Sequence, residues 1–410
     1  MNVLPRRLAV LVFLAFAFAY FLSALIRAIT ATLSPILTQE FALQSRDLGL
    51  LAGGYFLGFA ATQLPLGSWL DRHGPQRVVV GFLAVAVLGC LAFSVANTFS
   101  GLLMARMLCG VGLSACLMAP LTGYRRWFSP IGQMRSNSWM LMTGSLGMIA
   151  STLPVQWLTP LIGWRALFLV LAALLLLAMV LIAWRVPAWP RPVAAPVWVP
   201  ARSSYAEVWR HSYFRAMAPV GFFCYGGLLA MQTLWAAPWM VQVAGYSPLQ
   251  AAAGLFWINV AMLCSFWTWG LASPWLARRG ILADRLLLWG LPASYGLLAV
   301  LIAVAGHFPQ ATGILLALYC MASSFVTPSQ PAVGMAFAPD VAGRALSAYN
   351  LVIFTGVFVI QWGIGLMIDG LMLLGAPQTL AFQLAFSALL ACCVGSYMFF
   401  LRMARHNRQP

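Results

Sequence analysis

Between residues 67 and 77 the chain reads Gly67-Ser68-Trp69-Leu70-Asp71-Arg72-His73-Gly74-Pro75-Gln76-Arg77. The segments on either side, at about 47–69 and 77–96, are apolar, and each is long enough to cross a bilayer as a helix, which takes roughly 20 residues. The stretch is therefore a short charged connection between two membrane spans. The same alternation of apolar segment and short connection continues in both directions along the chain.

The composition places the whole chain in the membrane. Of its 410 residues, 62% are hydrophobic and only 7% are charged, and the mean hydropathy is +0.90. This leaves too little polar surface to cover a soluble protein of this length. We therefore predict an all-α membrane protein with twelve transmembrane helices, at about 8–36, 47–69, 77–96, 101–122, 137–159, 164–184, 214–242, 249–276, 284–304, 311–336, 344–369 and 378–401.

The positions of arginine predict the orientation of these helices. All 23 basic residues are arginine, and 19 of them lie at the chain ends or in alternate connections. Basic residues beside a bilayer are retained on the cytoplasmic side, so we expect both termini in the cytoplasm of a bacterium and the helices in its inner membrane. The arginines that give the chain its net charge of +16 lie in short loops and not on one basic face, so no nucleic acid is expected as a partner. The first apolar run lacks a cleavage site and should remain as the first span.

One long connection divides the spans into two sets of six. It runs from Arg185 to Arg215 and carries five arginines and a run of prolines that excludes a continuous helix. We therefore predict a six-helix bundle at 1–184, a cytoplasmic linker at 185–213 and a second six-helix bundle with a short tail at 214–410. The halves are pseudo-symmetric, because Trp69 to Gly74 aligns with Trp275 to Gly280 at an offset of 206 residues. A duplicated six-span unit is typical of secondary transporters.

Three motifs resemble the major facilitator superfamily. The first is the stretch 67–77. The others are, in span 4, Arg106, Gly110, Gly112, Ser114 and Ala115, and, at the start of span 6, Gly163, Trp164, Arg165 and Phe168. The resemblance covers essentially the whole chain and implies a transporter that works by alternating access. It also implies a conformational latch, formed by Gly67, Asp71, Arg72, Gly74 and Arg77. The alternative is that Asp71 and Arg72 are solvated and only set the topology.

The first span supplies the best candidate wall of a substrate cavity. Its polar residues follow steps of three and four, which places them on one helix face: Tyr20, Ser23, Arg27, Thr30 and Ser34. A charge inside a membrane is a functional candidate, because its burial costs roughly 2.5–3.5 kcal/mol. Only Arg27 and Arg106 lie well inside predicted spans. The alternatives are that Arg27 extends to the outer interface and that Arg106 bonds to the backbone of a neighbouring helix.

The position of Arg27 before Pro35 resembles the anion-binding arginine of organophosphate/phosphate exchangers in the same superfamily. Those exchangers pair it with a second arginine in span 7, where this chain has Gln232 and Thr233. One guanidinium suits a monoanion, such as a carboxylate or a small inorganic anion. The substrate-binding set is then completed by Arg106 and by polar faces on spans 7 and 10, which line the cavity in the family: Tyr225, Gln232, Trp235, Tyr319, Ser323 and Gln330. Packing is the alternative role for each aromatic residue among them.

These features favour a secondary transporter of a small, anionic solute that acts as a monomer in the lipid bilayer. The alternatives are an exporter of hydrophobic or cationic compounds, of the drug-efflux type, and a transporter-like membrane sensor. An enzyme is not expected, because no nucleophile and base are visible at membrane depth. We expect no cofactor and no metal site, because the cysteines, histidines and methionines lack the spacing of metal ligands.

Overall fold

The computed structural model describes residues 4–189 and 205–406, and over these residues every regular element is a helix. The first six segments are α1 (Arg6–Phe41), α2 (Ser45–Ala61, continued by 63–73), α3 (75–95), α4 (Phe99–Trp127), α5 (Pro130–Ala150, continued by 153–162) and α6 (164–185). A short helix, Tyr205–Arg210, precedes the second six. These are α7 (Ser212–Val243), α8 (Pro248–Arg278), α9 (Ala283–Ala303), α10 (Pro309–Met335), α11 (Pro339–Leu373) and α12 (Gln378–His406).

Twelve crossings follow from these segments. Within the described ranges, ten helices are long and apolar enough to span a membrane by length and composition alone. The remaining two are α2 and α5, each of which is interrupted by a turn. The predicted all-α membrane fold, with twelve transmembrane helices in two six-helix halves, is confirmed. The chain therefore returns to the side where it began, and the described ends lie at the same face as the connection between α6 and α7. We call this the linker face, and the other the opposite face.

Two glycines separate helices that would otherwise be continuous. Gly74 ends α2 with φ 76° and Gly163 ends α5 with φ 78°, a backbone region that other residues rarely adopt. The sequence predicts a connection at 70–76, but the structure keeps helical geometry up to residue 73 and resumes it at 75. The charged residues of this stretch therefore lie on the end of a helix and not on an extended loop.

The two halves are tied together at the opposite face by α2 and α11. A Cβ added at Gly49 would come within 2.3 Å of the Gln361 carbonyl oxygen, and one at Gly365 within 2.3 Å of the Ser45 carbonyl oxygen. Only glycine permits two helix backbones to approach this closely. At the end of this seam, the Asp369 carboxylate accepts hydrogen bonds from the backbone N–H groups of Ser45 (3.1 Å) and Arg46 (2.7 Å). An acid of one half thus caps the first turn of α2 in the other half.

Further contacts join the halves on both sides of the bundle. The helix α5 packs on α8, and near the linker face Gly67 of α2 approaches Ser347 of α11. The helix α1 packs on residues 231–238 of α7, the part of α7 nearer that face. Among the described residues, α4 makes no extensive contact with α10. The seam of α2 and α11, with the Asp369 cap at its end, is a contact that closes the opposite face.

Most of the predicted linker at 185–213, including Arg191 and Arg202, lies outside the described residues. The short helix at its end packs on α11 and also reaches the N-terminal half, where the Tyr205 hydroxyl donates to the Leu64 carbonyl at 3.2 Å. Partial burial raises the pKa of Tyr205, against the opposing effect of the nearby Arg344 guanidinium.

Candidate functional site

Arg27 lies inside the bundle and well away from either end of α1. The helix continues to Phe41, so roughly 20 Å of helix separates Arg27 from the opposite face, at about 1.5 Å per residue. Its neighbours Ile26 and Ala28 are 0% and 3% exposed, whereas Arg27 itself is half-buried. Its Nε atom is buried and has no hydrogen-bond partner. The guanidinium is thus partly accessible, with part of its donor capacity unused.

Three tyrosines from three helices lie near this guanidinium. Tyr20 of α1, Tyr55 of α2 and Tyr225 of α7 all interact with it electrostatically, and the Tyr20 hydroxyl is close enough to interact directly. Tyr20 and Tyr225 also interact with each other. Since α7 belongs to the C-terminal half, the site spans the two halves. Tyr20 and Tyr225 were predicted from the sequence to line the cavity, and the structure brings both to Arg27.

No acidic side chain neutralises Arg27 among those that the structure describes. The described carboxylates lie near helix ends or in the linker, and several are engaged there. Glu40 pairs with Arg165 at 2.5 Å, and Asp369 caps α2. Asp284 accepts a hydrogen bond from the Tyr213 hydroxyl at 2.8 Å. A positive charge inside the bundle is therefore left available for a ligand of the opposite sign.

Arg106 of α4 is fully buried, and its donors point at the backbone of α1. It donates to the carbonyl oxygens of Ile26 (2.8 Å) and Arg27 (3.5 Å). Its guanidinium carbon also lies 5.2 Å from the centre of the Tyr55 ring, within the range of a cation–π contact. Arg106 thus holds the turn of α1 that carries Arg27, and this geometry agrees with the backbone-bonding alternative considered above.

Tyr55 is the residue that sequence reasoning missed. It is 0% exposed, and its hydroxyl is buried with no hydrogen-bond partner. The ring packs edge-on against Phe56. The only sequence signal is a single tyrosine within an otherwise apolar stretch of α2. One polar residue produces no periodic stripe, so a search for polar faces does not find it.

The other predicted residues of α1 line the same face but are already packed. The Ser23 hydroxyl donates to the Leu113 carbonyl of α4 at 3.4 Å, and Ser34 bonds to Ala31 in its own helix. Thr30 is buried. These side chains position α1 against its neighbours on either side of Arg27.

The predicted residues farther along α7 do not join the cluster around Arg27. Gln232 donates to Asn259 of α8 at 2.8 Å, and the Trp235 indole donates to the Gln361 carbonyl of α11 at 3.2 Å. A physical reason is that α7 contains three π-helical turns, at Gly221–Tyr225, Met231–Trp235 and Trp239–Val243. Each wider turn changes the angular position of the residues after it, so a face read at 3.6 residues per turn is not preserved.

The predicted residues of α10 also lie apart from Arg27. Tyr319 interacts with Ser323 and with Cys393 of α12, inside the C-terminal half. Gln330 donates to Asn350 of α11 at 2.5 Å. The three polar side chains therefore bond within their own half, away from the tyrosines around Arg27.

The predicted latch lies at the linker face. Asp71, Arg72 and Arg77 are exposed, and the opposite charge that acts on Asp71 is Arg125 of α4, in the same half. A Cβ at Gly67 would lie 4.0 Å from the Ser347 hydroxyl of α11, and one at Gly74 would overlap the side chain of Trp189. The latch residues thus cluster where α2 meets α3, beside the C-terminal half.

Several known proteins resemble this chain. The model of the Major Facilitator Superfamily matches residues 16–361. The chain is 36% identical over 81 residues to the 3-(3-hydroxy-phenyl)propionate transporter of Escherichia coli, which is 20% of each protein. It is 28% identical over 167 residues to the 4-hydroxybenzoate transporter PcaK of Pseudomonas aeruginosa, which is 41% of this chain and 37% of that protein. The chain thus spans between a fifth and two fifths of the length of these curated relatives.

The fold has a close counterpart among solved structures. The chain superimposes with a TM-score of 0.75 on a bacterial homolog of the human lysosomal transporter Spinster, solved in an inward-facing and unoccupied conformation. The match covers 98% of both chains at 15% sequence identity, so it bears on the fold alone. With twelve helices in two halves, the charged stretch between α2 and α3, and a family match over most of its length, the chain belongs to the Major Facilitator Superfamily.

Proposed function

We propose that this protein is a secondary transporter that moves a small organic monoanion with a carboxylate head group across a membrane by alternating access. The observation that carries the proposal is the Arg27 guanidinium, which lies between the two halves with an unused donor and no acidic partner among the described side chains. At about 4 Å and an effective dielectric constant of 20, an ion pair contributes roughly 4 kcal/mol. A bound carboxylate would therefore offset the cost of holding Arg27 inside the membrane.

A single negative charge is favoured over two by the roles of the buried arginines. Arg106 directs two of its donors to α1 carbonyls, so Arg27 is left as the cation with free donor capacity. The names of the two curated relatives point the same way, since 3-(3-hydroxyphenyl)propionate and 4-hydroxybenzoate are both monocarboxylates with an aromatic ring. The tyrosines around Arg27 offer aromatic surface and hydroxyl groups for the remainder of such a molecule.

We further propose that the linker face is cytoplasmic and that the membrane is the bacterial inner membrane. The support is the arginine distribution, in which connections at the linker face carry most of the basic residues. A reporter fused to the C-terminus tests this orientation. Green fluorescent protein should fluoresce there, whereas alkaline phosphatase should be inactive, and the reverse result would overturn the assignment.

Counterflow in proteoliposomes tests the function. Vesicles are loaded with unlabelled 4-hydroxybenzoate or 3-(3-hydroxyphenyl)propionate, and entry of the labelled compound is followed. We expect the wild-type protein to exchange label and Arg27→Ala to lose at least about 30-fold in exchange, since removing one partner of a buried charge pair costs roughly 2 kcal/mol or more. A sensor would bind without exchanging label.

Two further variants make the test specific. Arg27→Lys keeps the charge but loses the planar pair of donors, so it should retain part of the activity. Arg402→Ala removes an exposed arginine at the end of α12, and it should exchange as the wild type does. Wild-type exchange by Arg27→Ala would remove Arg27 from the site.

A further inference from the structure

The N-terminal half contains a cluster of buried polar atoms without partners. The Nε atoms of Arg27 and Arg106 and the hydroxyl of Tyr55 are all buried, and none has a hydrogen-bond partner. They also lie together, because Tyr55 interacts electrostatically with both arginines. Buried polar groups in proteins are nearly always paired, so three unpaired ones at the junction of α1, α2 and α4 require an explanation.

The cluster consists of groups that can donate hydrogen bonds. Arginine has no acceptor, and the tyrosine hydroxyl can donate its proton. The Ser23 hydroxyl is close enough to interact with Tyr55, but it makes no well-formed hydrogen bond to it and directs its own proton to the Leu113 carbonyl. No carboxylate among the described side chains faces these groups, so the junction holds two positive charges and a hydroxyl without an anionic acceptor. An anionic acceptor is the group that would satisfy this arrangement.

We propose that Tyr55 is a further substrate-binding residue, whose hydroxyl donates to the same carboxylate that pairs with Arg27. This proposal rests on the proposed function. A carboxylate has two oxygens and accepts several hydrogen bonds, so one oxygen can take the Arg27 donor while the other takes the Tyr55 proton. Because Tyr55 comes from α2 and Arg27 from α1, the head group would bridge two helices of the N-terminal half. Tyr225 of α7 would then contact the bound molecule from the other half.

The substitution Tyr55→Phe separates a binding role from a structural one. It removes only the hydroxyl and keeps the ring that packs on Phe56 and Arg106. Since the hydroxyl makes no well-formed hydrogen bond in the unliganded protein and interacts only with Ser23, its loss should hardly lower the unfolding temperature of the purified, ligand-free protein. The affinity for 4-hydroxybenzoate, measured by titrating the thermal shift, should fall about tenfold or more, as expected when a hydrogen bond to a charged group is lost.

The chain offers a matched control. Tyr124 of α4 is also 0% exposed and its hydroxyl is also buried without a partner, but it packs among Phe13, Phe16 and Phe128. Tyr124→Phe should therefore leave both the ligand-free unfolding temperature and the affinity unchanged. The titrations are run in buffers with and without sodium chloride, because an inorganic anion would satisfy the same donors.

Each outcome decides the proposal. A selective loss of affinity in Tyr55→Phe, with the ligand-free unfolding temperature retained, supports it. Wild-type affinity in Tyr55→Phe overturns it while leaving the role of Arg27 intact, and so does a marked fall in the ligand-free unfolding temperature. If chloride alone raises the unfolding temperature of the wild type but not that of Tyr55→Phe, the cluster binds an inorganic anion, and this result also overturns the proposal. If the wild type binds neither aromatic carboxylate, the proposed function fails, and this inference fails with it.

Discussion

The cap that Asp369 places on α2 should control how often the opposite face opens. The carboxylate accepts two N–H groups from the other half of the protein, from Ser45 at 3.1 Å and Arg46 at 2.7 Å. These bonds cannot survive separation of the halves at this face, whereas hydrogen bonds within one half can. A substitution that weakens the cap should therefore favour the state that is open at the opposite face.

The expected size of the effect follows from the geometry. Asp369→Asn removes the negative charge at the start of α2 and leaves one oxygen to serve two donors. Helix caps contribute about 0.5–2 kcal/mol, and a charge at a helix terminus contributes about 0.3–1 kcal/mol. Solvent screening at this partly exposed site reduces the charge contribution, so we expect a total loss of about 1–2 kcal/mol. This corresponds to roughly a 5- to 30-fold shift in the equilibrium between closed and open states.

Thiol labelling measures this population. Leu48 is 4% exposed and lines a cavity of about 420 Å³ between the halves at the opposite face. For this assay Leu48 is replaced by cysteine, and the two exposed cysteines, Cys264 and Cys392, are replaced by serine. The protein is placed in nanodiscs, and the rate at which a maleimide labels the new cysteine is measured. When opening and closing are fast compared with labelling, the rate follows the open population. It should rise roughly 5- to 30-fold in Asp369→Asn.

A control at the same face isolates the contact between the halves. Asp47 accepts the Gln44 N–H at 3.1 Å within α2 and its own cap, so Asp47→Asn weakens a bond that lies inside one half. The labelling rate at position 48 in Asp47→Asn should match the rate in the protein that has the native Asp47 and Asp369. An unchanged rate in Asp369→Asn, or an equal rise in Asp47→Asn, would refute the reasoning.

Two further expectations concern the α2–α3 junction and the support of α1. Gly74→Ala should lower the unfolding temperature, because φ 76° costs roughly 1–3 kcal/mol for a residue with a Cβ and that Cβ would overlap Trp189. Gly81→Ala is the control: a Cβ at Gly81 meets nothing within 4 Å, so this substitution should not lower the unfolding temperature. Arg106→Lys should weaken carboxylate binding measured by thermal shift about tenfold, because lysine lacks the planar guanidinium fork that reaches the Ile26 and Arg27 carbonyls and so positions Arg27 less well. Rescue of binding in that variant at a higher ligand concentration, with the maximal shift preserved, would separate positioning from loss of the fold.

The order of the helices and the face of α1 that carries Arg27 could be predicted because both depend on local properties. Apolar length determines whether a segment crosses the bilayer, and helical periodicity aligns Tyr20, Ser23 and Arg27 whatever surrounds them. The same periodicity did not predict the contacts of α7, because its π-helical turns change the direction in which the following side chains point. Gln232 and Trp235 therefore bond to other helices and not to the cluster at Arg27. Nothing in the composition of α7 signals those turns.

Local sequence therefore accounts for the number of crossings, the arginine-rich connections and the presence of one charged stripe, since each follows from the free energy of placing a single segment in lipid. The partners of that stripe depend on packing between helices distant in the chain. Tyr55 lies near Arg27 because α2 packs closely against α4, whose Arg106 bonds to α1. Asp369 reaches Ser45 because Gly49 and Gly365 let α2 and α11 approach within backbone contact. Such contacts bring together residues up to 324 positions apart, and no property of either segment alone encodes them.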